Sequence, residues 1–326
     1  MPVLELRDLT THYYLGGKPV RAVENVSLNI DRQETLGLAG ESGCGKTTTA
    51  YSILRILPEN GNIVGGQILL DGEDLIEKTA EEMRRIRWRS ASIVFQYAMN
   101  AFNPVLRIGA QIIEVMREKT EISEEEASDK VKVLFDEVGL EPKRVMDYPH
   151  EFSGGMLQRA IIAQALACDP KLIIADEPVT ALDVVVQNKI LDLLRKLQKK
   201  YDLAVLFITH DLSVVAENCT NTGIMYAGNI VELGTTKAVF KESLHPYTYK
   251  LIGAFPSIKG PKRHLEFIPG SPPNLLYPPP GCKFHPRCPY AQDICKTEFP
   301  EFRELEPGHF ARCHFAAQLD FGGDTQ

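Results

Sequence analysis

The stretch that most constrains this chain runs from Leu36 to Thr48: Leu-Gly-Leu-Ala-Gly-Glu-Ser-Gly-Cys-Gly-Lys-Thr-Thr. The apolar run ending at Ala39 reads as a buried strand, the glycine-rich part as a loop, and Lys46 onward as a helix. The pattern G-x-x-x-x-G-K-T is filled by Gly40, Glu41, Ser42, Gly43, Cys44, Gly45, Lys46 and Thr47, with Thr48 next in the helix. Glycines let backbone amides curl around an anion with no Cβ in the way. The helix N-terminus turns its positive end toward the same point. Lys46 suits the outer phosphates of a nucleotide and the Thr47 hydroxyl suits Mg²⁺. A glycine-rich turn could match by chance, but the strand before and the helix after argue for a phosphate cradle.

The other features narrow the class. A formal net charge of −7 argues against bulk nucleic acid as the main partner. The 326 residues have room for one large α/β domain and a smaller appendage. No apolar run reaches the roughly 18 residues that a membrane-crossing helix needs. The N-terminal Met-Pro-Val-Leu-Glu-Leu-Arg-Asp alternates in polarity and carries acid, unlike a signal peptide. The expectation is a cytosolic chain whose membrane role comes through a partner.

Val3 to Leu9 and Val23 to Ile30 alternate as strands of an antiparallel sheet, with a turn over Thr11 to Lys18 between them. Tyr13 in that turn could stack on an adenine, or could be a strand tyrosine packing on its own sheet. Thr47 to Leu57 reads as a helix stopped at Pro58. Ser92 to Phe95 reads as a short strand ending on Gln96, where open α/β sheets place ligand-contacting groups.

From Tyr97 to about Ala163 helical patterns dominate: Ile108–Lys119, then Ser123 and Glu126 as a capping box leading into Lys130–Val138. This predicts a helical insertion of about residues 97–163. It closes on Ser153-Gly154-Gly155-Met156 at a helix start, which is either an ordinary N-cap or an anion-binding nest. Leu172 to Ala175 make a buried strand ending on Asp176 and Glu177. Paired carboxylates there are costly to bury unless a cation is near, which suits Asp176 to Mg²⁺ and Glu177 to polarising water. Thr180-Ala181-Leu182-Asp183 leads into a helix over Val185–Lys200. The strand Ala204–Thr209 follows and ends on His210. Three strands thus deliver polar groups to one sheet edge, as a nucleotide hydrolase requires.

These residues, in this order, resemble the ATP-binding subunit of an ABC transporter over nearly the whole chain. Gly40–Thr47 matches Walker A, Gln96 the Q-loop, Ser153-Gly154-Gly155 the signature, and Ile173–Glu177 Walker B. Thr180–Asp183 matches the D-loop, His210 the switch histidine, and Tyr13 the adenine-stacking aromatic. The resemblance implies an α/β fold: a RecA-like mixed-sheet core with an antiparallel β subdomain and a helical subdomain, over residues 1–240. It implies a head-to-tail dimer with a second homologous ATPase, so that each ATP lies between one Walker A and the other subunit's Ser153, Gly154 and Gly155. Thr47, Gln96 and Asp176 then serve Mg²⁺, Glu177 is the base and His210 touches the γ-phosphate, with Lys46 stabilising charge. One departure is Met156, where the signature's usual glutamine stands.

Residues 241–326 shift in composition. After a proline-rich run over Pro269 to Pro280 come Cys282, Cys288, Cys295 and Cys313, four of the seven cysteines within 32 residues. Their spacing lacks the tight C-x₂-C pairs of a zinc ribbon and suits a larger cluster. Zn²⁺, and disulfides or free thiols, stay open as alternatives. Together with His245-Pro246-Tyr247, this tail resembles the dipeptide/oligopeptide branch of ABC ATPases, which implies a [4Fe–4S] cluster. The branch implies a peripheral subunit at the cytoplasmic face of the membrane, with two permease subunits, an extracytoplasmic substrate-binding protein and no nucleic acid. The cargo it implies is a di- or oligopeptide, with an oligosaccharide or nickel as the alternative. A soluble ABC ATPase of DNA repair or translation is disfavoured. About 130 residues separate Lys46 from Asp176, too few for a repair coiled coil, and there is only one cassette.

Overall fold

The computed structural model describes residues 1–96, 101–180, 182–254, 268–316, 318–319 and 321. Tyr97, the expected start of the helical segment, and Ala181 of the expected D-loop lie outside them. Two compact units interleave along the chain: Met1–Leu4, Asn29–Glu34 and Leu69–Phe207 form one, and Glu5–Leu28, Thr35–Ile68 and Ile208–Gln326 the other.

The second unit opens with β1 (Leu4–Leu15), β2 (Lys18–Ile30), β3 (Thr35–Ala39), α1 (Lys46–Leu54) and β4 (Gly61–Leu70). Strands β2, β1 and β4 are neighbours in that order. The sequence predicts a turn over Thr11 to Lys18, but the turn is only Gly16-Gly17. Both glycines have positive φ, 56° and 78°. That two-residue loop matches the twist of the flanking strands, so pairing runs on to Leu15 and puts Tyr13 on a strand.

The first unit holds β5 (Glu73–Asp74), α2 (Ala80–Arg89), β6 (Ala91–Val94), α3 (Ile108–Lys119), α4 (Glu124–Glu137), α5 (Gly154–Leu166), β7 (Leu172–Asp176), α6 (Val184–Tyr201) and most of β8 (Ala204–Ile208). Helix α2 is absent from the sequence reading because it buries only Met83, so it carries no apolar stripe. It is held at its start by a Thr79–Glu82 capping box. The expected box at Ser123 forms, with the Glu126 amide donating to Ser123 Oγ at 3.3 Å and the Ser123 amide to the Glu126 carboxylate at 3.0 Å. Helix α3 buries Ile108, Ile112 and Met116, and α4 buries Ala127, Val131, Leu134 and Phe135, each at one-face helical spacing. Strands β6 and β7 run parallel with Ala91 opposite Leu172. All five residues of β7 are buried, as its unbroken apolar run demands.

The second unit continues with α7 (Leu212–Asn218), β9 (Asn221–Tyr226), β10 (Asn229–Thr235), α8 (Thr236–Lys241), α9 (Pro246–Gly253), α10 (Asp293–Thr297), β11 (Arg303–Glu306) and β12 (His309–Ala311). Strand β3 pairs parallel with β9, and β9 turns back into β10 through Ala227-Gly228. The tail adds to this sheet: β12 pairs antiparallel with β10, and β11 with β12. Buried Glu232 on β10 anchors the junction. Its carboxylate accepts from the amides of Leu244 and His245 and pairs with His309 Nε2, each at 2.9 Å. The tail is therefore docked by strand pairing and a satisfied buried carboxylate as well as by whatever its thiols hold.

Candidate active site

The phosphate-binding loop leaves β3 at Gly40 and ends where Gly45 caps α1, at φ 151° and 112°. A Cβ at Gly40 would lie 2.2 Å from the Met225 carbonyl, and one at Gly45 2.3 Å from that of Ala22. Only glycine fits at either position. Lys46 is buried, and its ammonium donates to the carbonyls of Gly40 at 2.8 Å and Glu41 at 3.1 Å. Ser42, Gly43 and Thr47 are exposed at the loop's mouth. Cys44 is buried, and burial pushes its thiol above the usual range against the opposing pull of Lys46, so it packs rather than reacts. Tyr13 is half-buried on β1, with its ring against Gly61 of β4.

In the first unit β7 delivers Asp176, buried, and Glu177, half-buried. Glu177 has φ 48°, a conformation that non-glycine residues adopt at a cost and that turns its carboxylate away from the strand's own path. Gln96 Nε2 donates to Glu177 Oε2 at 2.7 Å, and Thr180 Oγ1 donates to the same oxygen at 3.0 Å. The sequence brings Gln96 and Glu177 to strand ends; the Thr180 contact has no sequence signal beyond its position three residues on.

Ser153 caps α5, accepting from the Met156 amide at 3.4 Å, and is exposed with Gly154 and Gly155 beside it. A Cβ on Gly155 would sit 2.7 Å from Val186 Cγ1 of α6. Asp183 caps α6 through the Val186 amide at 3.0 Å, next to exposed Val184 and Val185. His210 is exposed just past β8.

In the second unit Cys282, Cys288, Cys295 and Cys313 line one small cavity, together with His245, Phe284 and His285 among others. Among the described residues no carboxylate lines it. No two of the seven cysteines are joined as a disulfide. Burial pushes Cys282 up to about 12 and Cys288 up to about 11, and raises Cys313, so these thiols ionise only against a compensating cation. Among the described residues no three His, Cys, Asp or Glu side chains are set closely enough for a single metal ion. The four thiols stand beside the imidazoles of His245, His285 and His314, donor types that suit an iron–sulfur group and zinc alike.

Residues 23–180 match the family model "ABC transporter", and residues 231–295 match "Oligopeptide/dipeptide transporter, C-terminal region". A probable peptide ABC transporter ATP-binding protein, y4tR, of Sinorhizobium fredii is 44% identical, aligned over 95% of this chain and 94% of its own. The chain belongs to the ABC transporter ATP-binding proteins. This ABC ATPase is also 41% identical to the oligopeptide transport ATP-binding protein OppD of Bacillus subtilis, over 95% of this chain and 88% of that one. Among solved structures, the dimeric cassette MJ0796 is 28% identical with a TM-score of 0.64, covering 72% of this chain and 98% of that one. No helix among the described residues of the ATPase is long and apolar enough to cross a membrane.

Two residues that sequence reasoning missed act on the phosphate loop. Tyr247 OH accepts from the Glu41 amide at 3.0 Å, and Arg287 grips the Glu41 carboxylate. Each lies more than 200 positions from Glu41, beyond any local pattern.

Proposed function

We propose that this ABC ATPase powers import of di- or oligopeptides through two permease subunits, at the cytoplasmic face of the membrane. It would pair head to tail with a second homologous ATPase and serve an extracytoplasmic substrate-binding protein. The observation that carries this reading is that likeness to peptide-transport ATP-binding proteins extends over the tail as well as the cassette. Residues 1–240 are taken as the ATPase part and 241–326 as the branch-specific tail.

In this reading Tyr13 stacks on the adenine. The amides of the 40–48 loop and Lys46 take the phosphates and stabilise charge that grows on the γ-phosphoryl oxygens. Thr47, Gln96 and Asp176 serve Mg²⁺, which supplies charge neutralisation when bound. Glu177 accepts a proton from the attacking water, and its Thr180 and Gln96 hydrogen bonds aim it. His210 touches the γ-phosphate. Ser153, Gly154, Gly155 and Met156 present helix-start amides to the partner's ATP, and Asp183 stands at the dimer seam. The cavity of Cys282, Cys288, Cys295 and Cys313 would hold a [4Fe–4S] cluster, which supplies a covalent tie across the tail.

Cells lacking this chain should lose uptake of a labelled dipeptide or oligopeptide, and regain it with the intact chain but not with Glu177→Gln. Intact peptide uptake with lost oligosaccharide or nickel uptake would instead give the cargo to the other members of the branch.

A further inference from the structure

We propose that the segment Cys282 to Cys288 is a strap that holds the phosphate-binding loop in its nucleotide-accepting shape, with Arg287 as the positioning residue. Filling of the four-thiol cavity then tightens ATP binding. The coupling half of this proposal rests on the cluster reading given above.

The strap grips the loop directly through Arg287, and its other end meets the β9–β10 turn that bonds the loop. Arg287, its side chain 5% exposed, bonds both Glu41 oxygens, Nη1 to Oε2 at 2.7 Å and Nη2 to Oε1 at 3.0 Å. Its Nε donates to the Pro269 carbonyl at 2.8 Å, which fixes the guanidinium plane. Two-point pairing of this kind fixes direction as well as distance. Glu41 is also held through its amide by Tyr247 OH, and its carbonyl is one of the two that Lys46 donates to. Displacing Glu41 therefore displaces an acceptor that sets the position of the Lys46 ammonium.

At the other end Lys283 pairs with Glu24 and donates to the Ala227 carbonyl at 2.9 Å, at the tip of the β9–β10 turn. The next amide of that turn, Gly228, donates to the Cys44 carbonyl inside the loop at 2.9 Å. Between the two ends Phe284, fully buried, packs edge-on against Tyr226 at 5.2 Å and Tyr247 at 5.3 Å. The same Phe284 lines the thiol cavity. Cys282 and Cys288 bracket the strap, so anchoring both sulfurs to one group narrows the conformations open to Lys283, Phe284 and Arg287. Narrowing them before nucleotide arrives lowers the ordering cost of binding. A strap that merely docked the tail would not need the two-point grip on Glu41.

The test is ATP affinity of the full-length subunit, measured by titration with a fluorescent ATP analogue beside its melting temperature and iron content. Arg287→Ala and Glu41→Gln should each raise Kd about ten-fold, and the double variant no further. Arg287→Lys, which keeps the charge and cannot bridge both oxygens, should fall between and covers the case in which alanine loosens the whole tail. A lowered melting temperature with an unchanged Kd, or additive effects in the double variant, overturns the positioning role. Stripping the iron from the wild type should raise Kd as Arg287→Ala does, and stripping the variant should add nothing. A stripped wild type with unchanged Kd overturns the coupling. Anaerobic protein without iron and sulfide overturns the coupling and the cluster reading together, while the Arg287–Glu41 cycle still decides the strap.

Discussion

Gln96 and Glu177 meet at the carboxyl ends of two parallel strands, amide to carboxylate at 2.7 Å. Gln96 stands two residues past β6 and Glu177 one residue past β7, so strand register alone brings them together. The pair joins the proposed general base to the end of β6.

Replacing Glu177 with glutamine keeps a group that can bond Gln96 and Thr180 but cannot take a proton from water. Turnover in the assembled transporter should fall by about a hundred-fold or more, with ATP still bound. Phosphate release and retained nucleotide are measured together; near-normal hydrolysis would remove Glu177 from the role of base.

Gly45→Ala places a Cβ about 2.3 Å from the Ala22 carbonyl at a φ of 112°. Backbone cannot yield there cheaply, so the loop must open. The variant should lose ATP binding and about 2 kcal/mol of stability in urea unfolding. Wild-type affinity in a folded variant would show that the loop tolerates another shape.

The carboxyl group of Glu137 on α4 has its pKa held below the usual carboxylate range. Burial works against its charged form, but the hydrogen bonds from Lys200 and Tyr201 outweigh it. A carboxylate held below its unfolded value binds fewer protons when folded, so its contribution is present above the unfolded range near 4.5 and lost as pH falls. Glu137→Gln should therefore cost about 1 kcal/mol at neutral pH and nothing once both forms are protonated. Denaturation midpoints of the two proteins should converge on acidification; parallel curves would deny the pairing any weight.

Iron and acid-labile sulfide in anaerobically purified protein should appear in near-equal amounts, about four of each per chain for the cluster proposed. Serine at Cys282 or Cys313 should abolish both and lower the melting temperature. Stoichiometric zinc without iron would give the cavity to the alternative ion.

Much of this molecule is legible locally. The unbroken apolar run of β7, the Ser123–Glu126 cap and the glycines of the phosphate loop each state their structure within a few residues. Failures of the local reading have equally local causes. Helix α2 lacks an apolar stripe, and Gly16-Gly17 shorten a turn that looked eight residues long. The pairing of β12 with β10 was invisible, because a three-residue strand carries no periodicity.

The sequence by itself determined the chemistry at each position: a loop only glycine can form, carboxylates at the end of a buried strand, four thiols in a short tail. These follow from residue type and close spacing, where sterics and hydrogen bonding act between neighbours. The tertiary structure alone decided what each group faces. Glu41 is gripped by Arg287, 246 residues away, and Glu177 by Gln96, 81 residues away. Such contacts arise from strand register and the docking of a distant tail, which the burial of apolar surface drives, and no spacing along the chain records them.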